Sequence, residues 1–305
     1  MKCLLLYFTG TYNTRYLTGR LKERLDSVGW EVTVHEIDPL DDSRLDLSAY
    51  DIIGLGYPIH GYCAPWAFLR YIRRQKFPRG IRVFIYKNSG ETEKANDASS
   101  KYVLRKLRWD GAVTRNEYHF LMPYNIHFRF DEKLVKEMLV MDGKLLDILV
   151  YELQHDIPNM KRYGIWPRLV SSVVSRPQYI GGDVNSFFYR VDMDKCKGCD
   201  LCIKRCPTQN IYRDGEGVIR FRHHCLMCMR CSFHCPADAI HIGFLEQWGW
   251  KVNGGYDFNK IEKIELDSPV ITETTTGFFH CYIDTYRKIN ARHNELFGRG
   301  TPTRK

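Results

Sequence analysis

Between Cys196 and Pro236 the chain repeats one pattern twice, four cysteines and a proline spaced C-x2-C-x2-C-x3-C-P. The first copy is Cys196, Cys199, Cys202 and Cys206 before Pro207; the second is Cys225, Cys228, Cys231 and Cys235 before Pro236. The echo reaches an isoleucine five residues beyond each fourth cysteine, Ile211 and Ile240. Three thiolates at i, i+3 and i+6 on a tight loop reach three corners of one iron–sulfur cubane, and the fourth, carried away by the Cys-Pro turn, reaches the neighbouring cluster. The rival is a pair of structural zinc sites, because C-x2-C pairs also suit tetrahedral zinc. Zinc needs only two such pairs per ion and gives no reason for the duplicated triple or the terminal prolines.

The ligand sets therefore cross between copies. Cys196, Cys199, Cys202 and Cys235 are assigned to one four-iron four-sulfur cluster, and Cys225, Cys228, Cys231 and Cys206 to the other. Small residues and turns beside them, such as Gly198, leave N–H groups free to point at sulfide. His223, His224 and His234 stand near the second set, but eight cysteines fill eight sites and the histidines are read as neighbours. Over about sixty residues this stretch resembles the bacterial two-cluster ferredoxins. That places a small α+β domain at 187–245, opening with a strand at 188–191.

Such a module uses only a fifth of 305 residues, so a second core is expected. Of the 11 cysteines, Cys3, Cys63 and Cys281 lie outside the two copies, an odd number with no disulfide logic. That usage points to a reducing compartment and a cytoplasmic protein. The opening apolar run is too short for a signal sequence, and no run approaches the ~18 apolar residues that span a bilayer.

Lys2 to Phe8 reads as a buried parallel strand ended by Thr-Gly. Thr9, Gly10, Thr11, Tyr12, Asn13 and Thr14 then form a hydroxyl-rich loop ahead of a helix carrying Leu17, Leu21 and Leu25. Hydroxyls and loop N–H groups at a helix N-terminus hold an anion without any lysine, so the loop is a phosphate cradle. Tyr7 to Thr14 resembles the FMN phosphate loop of the flavodoxins. The resemblance implies that the hydroxyls of Thr9, Thr11 and Thr14 and the amide of Asn13 bind the phosphate. Tyr12 stands where many flavodoxins have glycine, which allows a different loop backbone and a ring covering the phosphate or ribityl chain.

Strands at 31–37, 51–57, 81–86 and 118–122 alternate with helices near 43–50, 65–75 and 95–109. Five such strands predict an α/β doubly wound parallel sheet covered on both faces. In the flavodoxin-like order 2-1-3-4-5, the flavin sits beyond the carboxyl ends of the first and third strands, between the loops 57–64 and 87–93. Tyr57, Pro58, Ile59, His60 and Gly61 offer rings and no fixed charge to a flavin face. Asn88, Ser89, Gly90 and Glu91 offer polar groups to its edge. His60 is more often a hydrogen-bonded loop histidine than a proton donor, and Cys3 and Cys63 are small apolar fillers.

Met122 to Asn125 resembles a segment of flavodoxin-ferredoxin fusion proteins. A long helix is expected at 131–155 with Leu134, Met138, Met141, Leu145, Leu149 and Leu153 on its core face, closing an FMN-binding domain at 1–155. Residues 156–186, interrupted by Pro158, Pro167, Pro177 and a Gly pair, read as an ordered connector. Within the extension 246–305 a strand is expected at 263–266. A helix is expected at 278–296 with Phe278, Tyr282, Tyr286 and Ile289 on one stripe, packed back on the other modules. Residues 298–305 are expected to be loose.

The whole chain resembles the flavodoxin-ferredoxin fusion family, which implies one FMN and two four-iron four-sulfur clusters in an electron-transfer protein. Cubanes pass one electron at a time and FMN takes one or two, so the fusion matches one-electron and two-electron steps between an external redox partner and its own cofactors. One rival is an FMN-dependent reductase of a small-molecule or ferric substrate fed by the clusters. Another is an iron–sulfur sensor with a vestigial flavodoxin domain. No G-x-G-x-x-G fingerprint is present, which argues against direct nicotinamide oxidation. The formal charge of +9 invites a nucleic-acid or membrane reading. It shrinks once each oxidised cubane adds about −2 and a flavin phosphate nearly as much. The run Arg70, Arg73, Arg74, Lys76 and Arg79 reads as a solvated helix face and loop, with docking of an acidic redox partner protein as its functional alternative.

Overall fold

The computed structural model describes residues 1–92, 94–161 and 163–298. Glu93, at the end of the second expected flavin loop, and residues 299–305, expected to be loose, lie outside the described residues. Three apolar runs of the first half, at 2–7, 52–58 and 82–89, become strands buried on both faces, and two strands that are more exposed complete the sheet. β1 (Lys2–Tyr7), β2 (Glu31–Glu36), β3 (Ile52–Pro58), β4 (Arg82–Ser89) and β5 (Val113–Leu121) pair in parallel in the order β2-β1-β3-β4-β5. Alternate residues of β1 enter opposite cores. Cys3, Leu5 and Tyr7 face α1 (Asn13–Ser27), while Leu4, Leu6 and Phe8 face α2 (Trp66–Arg74) and α3 (Lys101–Asp110). On β3, Gly56 lets the Tyr86 ring of β4 lie across the strand; a Cβ there would come within 2.3 Å of the ring.

Two helices are shorter than the sequence predicts. The helix expected at 43–50 is a single 3-10 turn, Leu47–Ala49, capped by the Asp46 carboxylate on the Ser48 amide. The helix expected at 95–109 begins as a 3-10 segment, Lys94–Ser100, before α3. A buried cation explains the change. Lys87 Nζ pairs with Glu117 at 2.6 Å and donates to the carbonyls of Asn96 and Asp97 at 2.9 and 3.1 Å, holding them away from helical partners.

α4 (Glu132–Gln154) buries Leu134, Met138, Met141, Leu149 and Leu153, with Leu145 partly buried, beside α1. Most of the expected ordered connector is a 22-residue helix, α5 (Ile165–Ser186). Pro167 falls in its first turn, where the missing N–H would have no partner anyway, and the helix continues through Pro177.

The cysteine-rich region contributes β6 (Tyr189–Val191), α6 (Leu201–Lys204), β7 (Ile211–Arg213), β8 (Ile219–Phe221), α7 (Arg230–Phe233) and β9 (Ile240–Ile242). β6 pairs antiparallel with β9 and β7 with β8. The echoing Ile211 and Ile240 each open a strand and share one core with Tyr189, Ile219 and Phe221. The remainder carries α8 (Phe244–Gln247), α9 (Phe258–Ile261) and α10 (His280–Phe297). The strand expected at 263–266 does not form. Glu262 is pinned there, its carboxylate accepting from Tyr16 and its carbonyl from Lys136 Nζ, so the chain turns off the end of α9. α10 returns to the first domain, burying Tyr282, Ile283, Tyr286 and Ile289 against α4, while Phe278 lies ahead of the helix and is 38% exposed.

Candidate redox centre

The two copies of the cysteine pattern fold alike because their backbones repeat. Left-handed residues recur at matching offsets: Gly198 and Met227, Asp200 and Met229, Gln209 and Asp238. The amide of Asn210 donates to Cys206 Sγ at 3.2 Å and that of Ala239, its counterpart, to Cys235 Sγ at 3.4 Å. Cys196, Cys199, Cys202 and Cys235 line one cavity together with Cys231, and Cys206, Cys225, Cys228 and the same Cys231 line a second. The fold thus brings the crossed sets together. Among the described residues no three His, Cys, Asp or Glu side chains close to the spacing of a single metal ion.

The cavities differ in exposure. Cys199 reaches the surface, whereas Cys228 is buried at 8% and faces the first domain. Burial pushes the thiol of Cys202 up to about 11 and that of Cys225 up to about 12. Without metal these groups hold their protons, so loading the sites releases them.

Gly10 meets the second cavity's wall. A Cβ on Gly10 would lie 2.8 Å from the carbonyl oxygen of Cys228. Arg230, which lines both cavities, donates from Nε to Gly10 O at 2.7 Å and from Nη2 to Thr9 O at 2.6 Å. Its guanidinium also stands 5.2 Å over the Tyr12 ring, and that ring lies 5.0 Å from His234. Tyr12 therefore corrects the expectation on two counts. Its φ of 75° is the left-handed backbone that glycine would supply, and its ring turns to the cysteine-rich domain instead of over the loop.

The loop fits a phosphate. Thr9 Oγ1 and Asn13 Oδ1 are buried without a hydrogen-bond partner. Thr11 Oγ1 accepts from Asn125 Nδ2 at 2.9 Å and keeps its own proton to donate. Thr14 differs from expectation, since its hydroxyl already donates to Asn88 Oδ1 at 2.8 Å.

The ring-flanking loops are less open than the sequence suggests. Tyr57 is fully buried with its ring on Phe68, so it belongs to the core. Pro58 ends β3, and Ile59 donates its amide to Asn88 O, joining the two loops. His60 and Cys63 close a tight turn over Gly61 and Tyr62, both left-handed. In the second loop Ser89 bonds His119, Glu91 accepts from Tyr124, and Gly90 lies under the Tyr124 ring with its carbonyl taken by Tyr282. These polar groups have partners within the chain. Of the residues assigned to flavin binding, only His60 lines the interdomain cleft of about 310 Å³, with Trp66, Arg70, Asp183, His224 and Cys225.

Burial pushes the His60 imidazole down to about 4, so it is neutral at pH 7 and has no acidic proton to donate. Its folded value lies below the unfolded ~6.5, so the unfolded chain binds more protons between those values. Stability should therefore fall as pH drops from about 6.5 through 4, and a histidine-resolved NMR titration should show His60 titrating with a midpoint well below 6.5. A midpoint at or above 6.5 would restore it as a proton donor.

The basic run of α2 is largely tied down. Arg70 donates to Pro39 O, Arg74 pairs with Asp42, and Arg73 stacks 5.2 Å over Trp66. Sequence reading missed Arg230, the Lys87–Glu117 pair and Tyr189, whose hydroxyl is buried in the domain that holds Cys225. No local pattern marks them.

Residues 189–212 match the family described as the 4Fe-4S binding domain. Among curated proteins, the chain is similar to one component of the ferredoxin:CoB-CoM heterodisulfide reductase of Methanosarcina mazei, 30% identical over 109 residues. It is also similar to an uncharacterized ferredoxin of Methanocaldococcus jannaschii, 32% identical over 53 residues. The alignments cover 27% and 16% of this chain, which spans only 14% and 35% of those relatives' lengths. Among solved structures it is similar to a flavodoxin of Streptococcus pneumonia, with 17% identity and a TM-score of 0.38 over 51% of this chain and 99% of that one. The general stress protein 14 of Treponema denticola, solved in complex with FMN, gives 12% identity and a TM-score of 0.39 over 50% and 99%. At these values the likenesses add nothing to the sheet order observed directly.

Proposed function

Because the chain joins a flavodoxin-like α/β domain to a 4Fe-4S ferredoxin domain, we propose that it carries electrons between an external redox partner, two four-iron four-sulfur clusters and a bound FMN. The contact between the two cofactor loops carries this reading: the Cys228 carbonyl presses on Gly10 while Arg230 grips the carbonyls of Thr9 and Gly10. Clusters supply one-electron chemistry and FMN one- or two-electron chemistry, so together they match unlike partners. Thr9, Thr11 and the start of α1 would hold the phosphate, and the two crossed cysteine sets would hold the clusters. Cys199 gives the outer set a surface for a partner protein, while Cys228 brings the inner set beside the phosphate loop.

Anaerobic reconstitution with iron, sulfide and FMN tests the reading. About eight irons and one flavin per chain should survive gel filtration, and a potentiometric titration followed by absorbance and electron paramagnetic resonance should resolve them. Loaded clusters with no retained flavin would sink the flavin half and leave an iron–sulfur protein with a vestigial first domain. A second reading, reduction of the protein's own substrate, is favoured by the cleft of about 310 Å³ beside Cys225, which lies within the ~300–1,000 Å³ of small-molecule pockets. Oxidation of the reduced protein by a small molecule with no partner present would select it.

A further inference from the structure

Helix α5 is packed inside out. Ser171 and Ser175 are fully buried on its inner side, where it lies against Lys94–Ser100. Further along, a Cβ on Gly182 would come within 2.4 Å of the Cys225 carbonyl, and Asn185 Nδ2 bonds Ile242 O at 2.9 Å. The outer side carries Trp166, Leu169, Val173, Ile180, Val184 and Phe187, each between 48% and 77% exposed. Their spacing of three, four, seven, four and three residues is one stripe of an α-helix. A surface helix of a globular protein has the opposite arrangement, apolar inward and polar outward. The sequence has placed its small polar residues where the protein needs close approach and its large apolar ones where water would lie.

The stripe is a convex ridge about 33 Å long, given ~1.5 Å per residue, with aromatic residues at both ends. It continues onto the ferredoxin domain, where Phe188 packs on Phe244 at 4.2 Å. Cations flank it. Arg168 is exposed on the helix, Lys161 precedes it, Lys101 bonds Arg168 O and Ser172 Oγ, and Arg190 is exposed just past its end. Against these stand Asp183, exposed, and Asp97, which pairs with Lys161 and cancels its charge, so Arg168, Lys101 and Arg190 supply the excess. A ridge with apolar side chains, terminal aromatics and surrounding positive charge suits an anionic bilayer surface, whose interface takes such helices in plane. No described helix is long and apolar enough to cross a membrane, so contact would be from one side.

We propose that α5 docks this protein on the surface of an anionic lipid bilayer. The inference is independent of the redox assignment, since no residue of the ridge is assigned to a cofactor. Flotation of the full-length, cluster-loaded protein with phosphatidylcholine vesicles, with and without phosphatidylglycerol, tests it. Binding should require the anionic lipid and weaken with salt, and brominated lipids should quench tryptophan fluorescence. Val173→Asp and Ile180→Asp, at positions already 67% and 66% exposed, should leave the cluster absorbance unchanged. Together they should lower vesicle partitioning by at least about tenfold, because two carboxylates must enter the interface. Equal binding by the variants would overturn the proposal. So would failure of the native protein to bind either vesicle; if that native protein is then a dimer that the variants dissociate, the ridge is a contact between copies.

Discussion

Replacing Cys206 with alanine should remove the cluster held by the second cysteine triple, although Cys206 belongs to the first copy of the pattern. The cavity lined by Cys225, Cys228 and Cys231 is completed by Cys206, and no other cysteine lines it. Iron should fall from about eight to about four per chain, and one of two electron paramagnetic resonance signals should vanish. Cys235→Ala should remove the other signal, that of the cavity opening at Cys199, despite its place in the second copy. If Cys206→Ala instead removed the same signal as Cys202→Ala, the ligands would not cross and the assignment would fall. The inner site should respond more sharply, because Cys228 is buried whereas Cys199 of the outer site reaches the surface.

The duplicated cysteine spacing was legible in the sequence, and so were the buried runs of β1, β3 and β4 that take their place in the sheet. The place of the hydroxyl-rich loop 9–14 at the first β-to-α junction was legible from the same kind of local pattern. The failures share a different cause. Residues 156–186 were legible only as an ordered connector, because Pro167 and Pro177 interrupt the pattern and the apolar stripe of α5 faces outward, where a core-facing rule does not find it. The strand expected at 263–266 lost to partners of Glu262 lying far away in sequence, on α1 and α4. The Lys87–Glu117 pair likewise reshapes 94–100 from two different strands. Tyr12 misled in the opposite direction: its side chain suggested a different backbone, yet contacts with Arg230 and His234 hold it where glycine would lie.

Arg230 was the least legible residue and should be among the most consequential. Its guanidinium contacts Gly10 and Thr9 across a sequence separation of 220 residues or more, with a side chain only 11% exposed. Arg230→Ala would leave two carbonyls without their donors, and a lost charged hydrogen-bond network of this kind costs about 2–5 kcal/mol. The single thermal transition expected of joined domains should then move down and broaden or split, as the flavodoxin-like and ferredoxin domains lose their shared contact. A second effect has its own sign. The positive charge beside both cysteine cavities favours the more negative, reduced form of any cluster held there, so its removal should shift cluster potentials to more negative values. Arg230→Lys separates the two roles, because lysine keeps the charge but cannot reproduce a fork gripping two carbonyls at once. The lysine variant should recover most of the potential while remaining destabilised. Recovery of stability with uncorrected potentials would show that Arg230 acts by filling space, and the electrostatic link between phosphate loop and clusters would have to be abandoned.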